Sequence, residues 1–97
     1  MNIRNENIDK VFEAILSLET VDECYRFFED ICTIKEMQDI AQRLEVAFML
    51  DEGKNYQEIS KATGASTATI SRVKKCLVYG SNGYRMVLDR AKGKEEA

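Results

Sequence analysis

Apolar residues recur along this chain at three- and four-residue intervals, and nowhere do they alternate as a half-buried strand would. Over 8–18, Ile8, Val11, Phe12, Ile15 and Leu18 share one helical face. Over 21–32, Val21, Cys24, Tyr25, Phe28, Ile31 and Cys32 form a second stripe, which Phe27 widens. The longest pattern runs from about Ile34 to Glu52, with Met37, Ile40, Ala41, Leu44, Ala47 and Phe48 along one side. Two short patterns follow, 56–63 with Ile59 and Ala62 inward, and 67–78 with Ile70, Val73 and Leu77 inward. A last helix is expected over 84–92, carrying Met86, Val87 and Arg90. The pattern predicts an all-α fold of about six helices.

The polar residues between the stripes mark where each helix begins. Thr20 with Glu23, Thr33 with Glu36 and Asn55 with Glu58 are spaced as capping boxes, and Ser66 is placed to cap the helix after it. Gly53 and Gly64 end the helices before them, "YGSNG" (79–83) reads as a loop, and the tail "KGKEEA" reads as frayed. The absence of proline favours long unbroken helices.

Ninety-seven residues allow one domain, in which a single core would be marginal. Charge changes the picture more than size does. Residues 1–53 carry a net charge of −8 and residues 54–97 one of +5. A basic segment on an acidic chain suggests a localised anionic partner. The cysteines, Cys24, Cys32 and Cys76, are odd in number and never in C-x-x-C spacing, and the chain has no histidine. That argues against a metal site, excludes histidine-based catalysis, and fits reduced thiols in a cytoplasmic protein. No apolar run is long enough to cross a bilayer, and "MNIRNENIDK" is not a signal peptide. Asp22, Glu23, Glu29, Asp30, Glu36 and Asp39 read as caps and solvated faces, so the chain is not expected to be an enzyme.

The basic segment contains two short helices joined by about three residues with a glycine in the turn, the pattern of a helix-turn-helix. Ile59 faces inward, small Ser60 stands where the helices cross, Gly64 takes the positive-φ position, and Ile70 and Val73 fill the core side of the second helix. With Ile70, Val73 and Leu77 inward, the start and outer face of that helix consist of Ser66, Thr67, Ala68, Ser71 and Arg72, with Lys75 one turn on and Thr69 beside them. A helix that enters the major groove leads with its N-terminal residues. Short side chains let the backbone approach base edges, hydroxyls reach phosphates, and methyls meet thymine methyls. Lys54, Lys61, Arg72, Lys74 and Lys75 supply counter-charge, opposed only by Glu58. The expected DNA-binding residues are Lys61, Ser66, Thr67, Ala68, Thr69, Ser71, Arg72 and Lys75.

The stretch "CTIKEMQDIAQRLEVAFMLDEGKNYQEISKATGASTATISRVKKCL" (32–77) resembles the core of the bacterial Trp repressor family, closest to its Trp-repressor-like members of the YerC/YecD type. "QRLEVAFML" and "LDEGKNYQEISKATGASTATISR" carry the resemblance most specifically. The C-terminal domain of the replication initiator DnaA is a relative at the level of the fold. The resemblance implies an intertwined homodimer of a single Trp-repressor-like domain over 1–97: dimerisation helices at 8–53, a helix-turn-helix at 54–78, a C-terminal helix at 84–92 and a tail at 93–97. It also implies a cytoplasmic transcriptional repressor on double-stranded DNA, with a palindromic operator read by two recognition helices. Thr33, Arg43 and Arg72 match residues of the family's ligand pocket. Val73 stands where the repressor has a glycine that leaves room for the indole ring, and Cys76 where it has a serine that helps hold the amino group. Both argue against tryptophan as the ligand, leaving no cofactor or a corepressor of unknown identity. Read without the resemblance, Arg43 is expected to pair with Glu36 or Glu45 on the helix surface.

Two other readings fit the sequence. A protein-interaction module that kept the fold with weak DNA binding would suit the pI of about 5.0. A small-molecule sensor would set the spacing of its recognition helices through a ligand.

Overall fold

The computed structural model describes residues 2–96. Among these the chain forms six α-helices and no strand: α1 (Glu6–Leu16), α2 (Val21–Ile31), α3 (Ile34–Asp51), α4 (Tyr56–Thr63), α5 (Thr67–Tyr79) and α6 (Gly83–Glu96). The expected α4 range is reproduced and the others shift at their ends, for identifiable reasons. Asn5, unused in the sequence reading, caps α1 by accepting from the Ile8 amide at 2.8 Å, so the helix starts two residues early. It stops at Leu16 because Ser17 turns its hydroxyl back onto the Ala14 carbonyl at 2.6 Å, which leaves Leu18 outside. The tail expected to fray continues α6 through Glu96, as its lysines and glutamates favour, and Ala97 lies outside the described residues.

Two of the three capping boxes are reciprocal. Thr33 and Glu36 exchange bonds of 2.9 and 3.1 Å, and Asn55 and Glu58 do the same at 2.9 and 3.4 Å. The Thr33 backbone N–H and hydroxyl hold the Glu36 carboxyl below its ordinary range. The box expected at Thr20 is displaced: Thr20 accepts from the Glu23 amide, but the Glu23 carboxylate reaches past it to the Glu19 N–H at 2.9 Å.

The chain divides into two compact units, one through Met37 and one from Gln38. In the first, no residue of α1 or α2 is buried. Phe12 is 50% exposed, Leu16 83%, Val21 74%, Tyr25 65% and Ile34 78%. The second unit holds the core. Val46, Ala47, Ile59, Ala65, Ile70, Val73 and Leu88 are each at most 2% exposed, with Phe48, Leu50, Tyr56, Leu77 and Tyr84 packed around them.

Inward assignments change on three helices. Ala62 is exposed, and Ala65 in the turn is buried in its place. On α6, Leu88 occupies the core, while Met86, Val87 and Arg90 remain exposed. On α3 the buried stripe is Val46 and Ala47, with Ala41, Ile40 and Leu44 exposed. Helix α6 is anchored electrostatically as well. Asp51, at the end of α3, accepts from Arg85 at 2.8 Å and from Lys92 at 2.6 Å, and Arg85 also reaches Asp89. These donors hold the Asp51 carboxyl well below the usual carboxylate range.

Candidate nucleic-acid interface

The turn between α4 and α5 is held tightly, and that fixes the start of α5. Gly64 takes φ +75°, the left-handed conformation that glycine adopts without penalty, and its amide closes on the Ser60 carbonyl at 2.8 Å. The Ser60 hydroxyl donates to the Ala65 carbonyl at 2.9 Å, so the small residue expected at the crossing also ties the turn. Thr63 Oγ1 donates to the Ile59 carbonyl and accepts from the Ala65 amide. Gln42 on α3 donates to the Thr63 carbonyl at 3.1 Å. Helix α5 is therefore placed by α3, by the turn and by the buried Ile70 and Val73.

Ser66 caps α5, accepting from the Thr69 amide and donating to Thr69 Oγ1, both at 3.1 Å. Thr67, Ala68, Ser71, Arg72 and Lys75 are exposed beyond it, and Lys61 is exposed on α4. The structure thus brings the expected DNA-binding residues onto one helix and its neighbour. Thr69 alone is turned aside: half-buried, it is engaged with Ser66 and lines a cleft.

That cleft, about 230 Å³, lies between α3, α5 and α6 and is lined by Arg43, Thr69, Arg72, Val73, Cys76 and Tyr84. The ion pair expected between Arg43 and Glu36 or Glu45 does not form. Glu36 is committed to capping α3, and Arg43 makes no ion pair among the described residues; its guanidinium faces the cleft instead. Arg72 is likewise without an ion pair among them, so the cleft holds two uncompensated cations. Burial raises the Tyr84 hydroxyl above its ordinary range and the Cys76 thiol adds to this, while Arg43 and Arg72 oppose it. At neutral pH Tyr84 is therefore a neutral donor pointing into a cationic cleft.

Residues 6–92 match the family described as Trp repressor protein. The chain is 59% identical over 93 residues to the uncharacterized protein YerC of Bacillus subtilis (strain 168), covering 96% of this chain and 89% of that one. Among solved structures, it is similar to a candidate Trp repressor from Staphylococcus aureus, with 50% identity, a TM-score of 0.89, and coverage of 93% of this chain and 90% of that one. A TrpR-like protein from Eubacterium eligens ATCC 27750 is also 50% identical, with a TM-score of 0.90 and 93% of each chain covered.

The chain belongs to the Trp repressor family.

Of the three pocket residues carried over from that family, Arg43 and Arg72 meet in the cleft. Thr33 is not among the lining residues and spends its hydroxyl capping α3. Val73 and Cys76 do line the cleft, and Val73 serves the core at the same time, at 2% exposure. Sequence reasoning missed Tyr84, which supplies a cleft wall from α6. No local signal marked it, because only the packing of α6 turns Tyr84 toward Arg43 and Arg72.

Proposed function

We propose that this Trp repressor family member is a sequence-specific DNA-binding transcriptional repressor that acts as a homodimer on a palindromic operator. The observation that carries this reading is the exposed start of α5, rich in hydrogen-bond donors, with Arg72 and Lys75 free of ion pairs among the described residues, on a helix otherwise held rigidly by its core face. Two such helices in a dimer would enter successive major grooves about 34–36 Å apart. The apolar surface that α1 and α2 leave exposed supports the dimer, because displaying Leu16, Val21 and Tyr25 to water is unfavourable unless a partner covers them. Selection of bound duplexes from a random pool tests the reading, with a symmetric consensus of two half-sites as the expected result. Binding should weaken steeply with salt. Arg72→Ala should cost roughly 1–3 kcal/mol of operator binding, whereas Thr67 and Ala68 substitutions should change sequence preference more than overall affinity. Equal retardation of an operator by wild type and Arg72→Ala would remove the assignment of α5.

The cleft favours a second property of the same molecule, control by a small anion. Arg43 and Arg72 would hold a carboxylate or phosphate, with Tyr84 and Thr69 donating hydrogen bonds. Val73 and Cys76 narrow and depolarise the site relative to one made for tryptophan. Because Arg72 lies on both the cleft and the exposed side of α5, its occupancy would alter the DNA-binding surface directly. A screen of small anions for a rise in Tm, with tryptophan as the negative comparison, checks this.

A further inference from the structure

The recognition helix has two flanks. One faces the cleft through Thr69, Arg72 and Cys76. The other meets Tyr56 of α4 through Ser71 and Lys74. This tyrosine is the first residue of α4, directly after the Asn55 cap, and its half-buried ring packs against the core. On its outer side the Lys74 ammonium stands 5.8 Å from the ring centroid, and the Ser71 hydroxyl donates toward the Tyr56 oxygen at a loose 3.5 Å. Ser71 and Lys74 are three residues apart on α5 and so share a face. One aromatic side chain, itself fixed by the reciprocal Asn55–Glu58 box and by core packing, thus touches two exposed polar groups of the recognition helix.

A lysine on a free surface loses side-chain entropy when it meets a phosphate, and an ammonium held over a ring has lost part of it beforehand. The sequence alone offers Lys74 only as one of several scattered positive charges. In the fold, the core face of α5 leaves Lys74 beside Tyr56, apart from the cleft-facing Arg72. We propose that Tyr56 is a positioning residue for DNA binding: its ring preorganises Lys74 to grip the phosphate backbone flanking the base-reading start of α5. The proposal rests on the DNA-binding reading above, and assigns to Tyr56 no contact with bases. Lys74 accordingly contributes affinity without sequence preference, and Tyr56 governs how much of that contribution is realised.

The test uses full-length protein and the duplex selected from the random pool, with Kd measured across a salt series for wild type, Y56L, Y56F, K74Q and the Y56L/K74Q double variant. K74Q, which removes one lysine from each protomer of the dimer, should lower the slope of log affinity against log salt by about two. Y56L should weaken binding by about two- to five-fold, as loss of an exposed cation–π contact implies. Y56F, which keeps the ring, should retain most of the wild-type affinity. The double variant should bind no worse than K74Q alone, because the ring acts through the lysine. Relative affinity for mismatched duplexes should stay unchanged throughout. Additive losses in the double variant, or a Y56F defect as large as that of Y56L, would overturn the proposal and leave Tyr56 with a packing role. Should Y56L fold poorly by circular dichroism, Y56F together with Y56W, expected to bind at least as well as wild type, decides the matter: a Y56W loss matching K74Q overturns it. Wild type that binds no duplex at all overturns both the DNA-binding reading and this one, whereas wild-type binding with indifferent variants overturns this one alone.

Discussion

The two units of this chain handle apolar surface in opposite ways. Helices α1 and α2 carry wide stripes yet bury no residue, whereas the unit from Gln38 onward closes Val46, Ile59, Ile70, Val73 and Leu88 almost completely. Composition does not account for this, since the first segment is the richer of the two in Ile, Leu, Val and Phe. What differs is partners. The second unit supplies three short helices and the end of α3 to one small core, tied by hydrogen bonds through the turn and by the Asp51 cluster. The first unit has two helices with amphipathic faces and nothing of its own large enough to cover them. A stripe without a cover of its own is the surface that the proposed dimer would bury.

The largest expected effect breaks the comparison from the exposed side. Leu16 and Ile34 are 83% and 78% exposed, so in a solvated monomer L16D with I34D would change stability by no more than about 0.5 kcal/mol. Under the proposed dimer the pair of substitutions should abolish the dimer mass in analytical ultracentrifugation and with it operator binding. Next comes the buried side: I59A, at a fully buried position, should cost roughly 2–5 kcal/mol by chemical denaturation. G64A should cost about 1–2 kcal/mol, because alanine resists φ +75° even though its methyl would meet nothing closer than Gln42 Nε2 at 4.0 Å. The smallest effect sharpens the comparison through pH. Asp51 has its pKa lowered on folding, so its contribution is fully present above the unfolded value, near 4, and is lost as pH falls below that. D51N should lower Tm at pH 7 by about 5 °C, and the gap to wild type should begin to narrow only as pH falls below about 4.

Much of this architecture is legible in the chain because local signals agree with one another. The Asn55–Glu58 box, the glycine at 64 and the inward pair Ile70 and Val73 each point to the same helix-turn-helix, and each is present as expected. The failures are as local. Periodicity shows that α6 has an apolar side but does not rank Met86, Val87 and Leu88, which lie within one turn; only the direction from which α3 and α5 approach selects Leu88. Likewise, spacing offers Arg43 two glutamates on its own helix, yet capping claims Glu36 and the cleft takes the guanidinium.

The sequence by itself determined the number and order of the helices, that the C-terminal half is cationic, and which face of α5 is left for solvent, because caps, helical periodicity and charge are properties of neighbouring residues. Only the tertiary structure decided that Arg43, Arg72 and Tyr84 share a cleft, that Tyr56 stands under Lys74, and that Asp51 gathers Arg85 and Lys92. Those groupings join residues on different helices, and no periodicity within one helix specifies the rotation at which another packs against it.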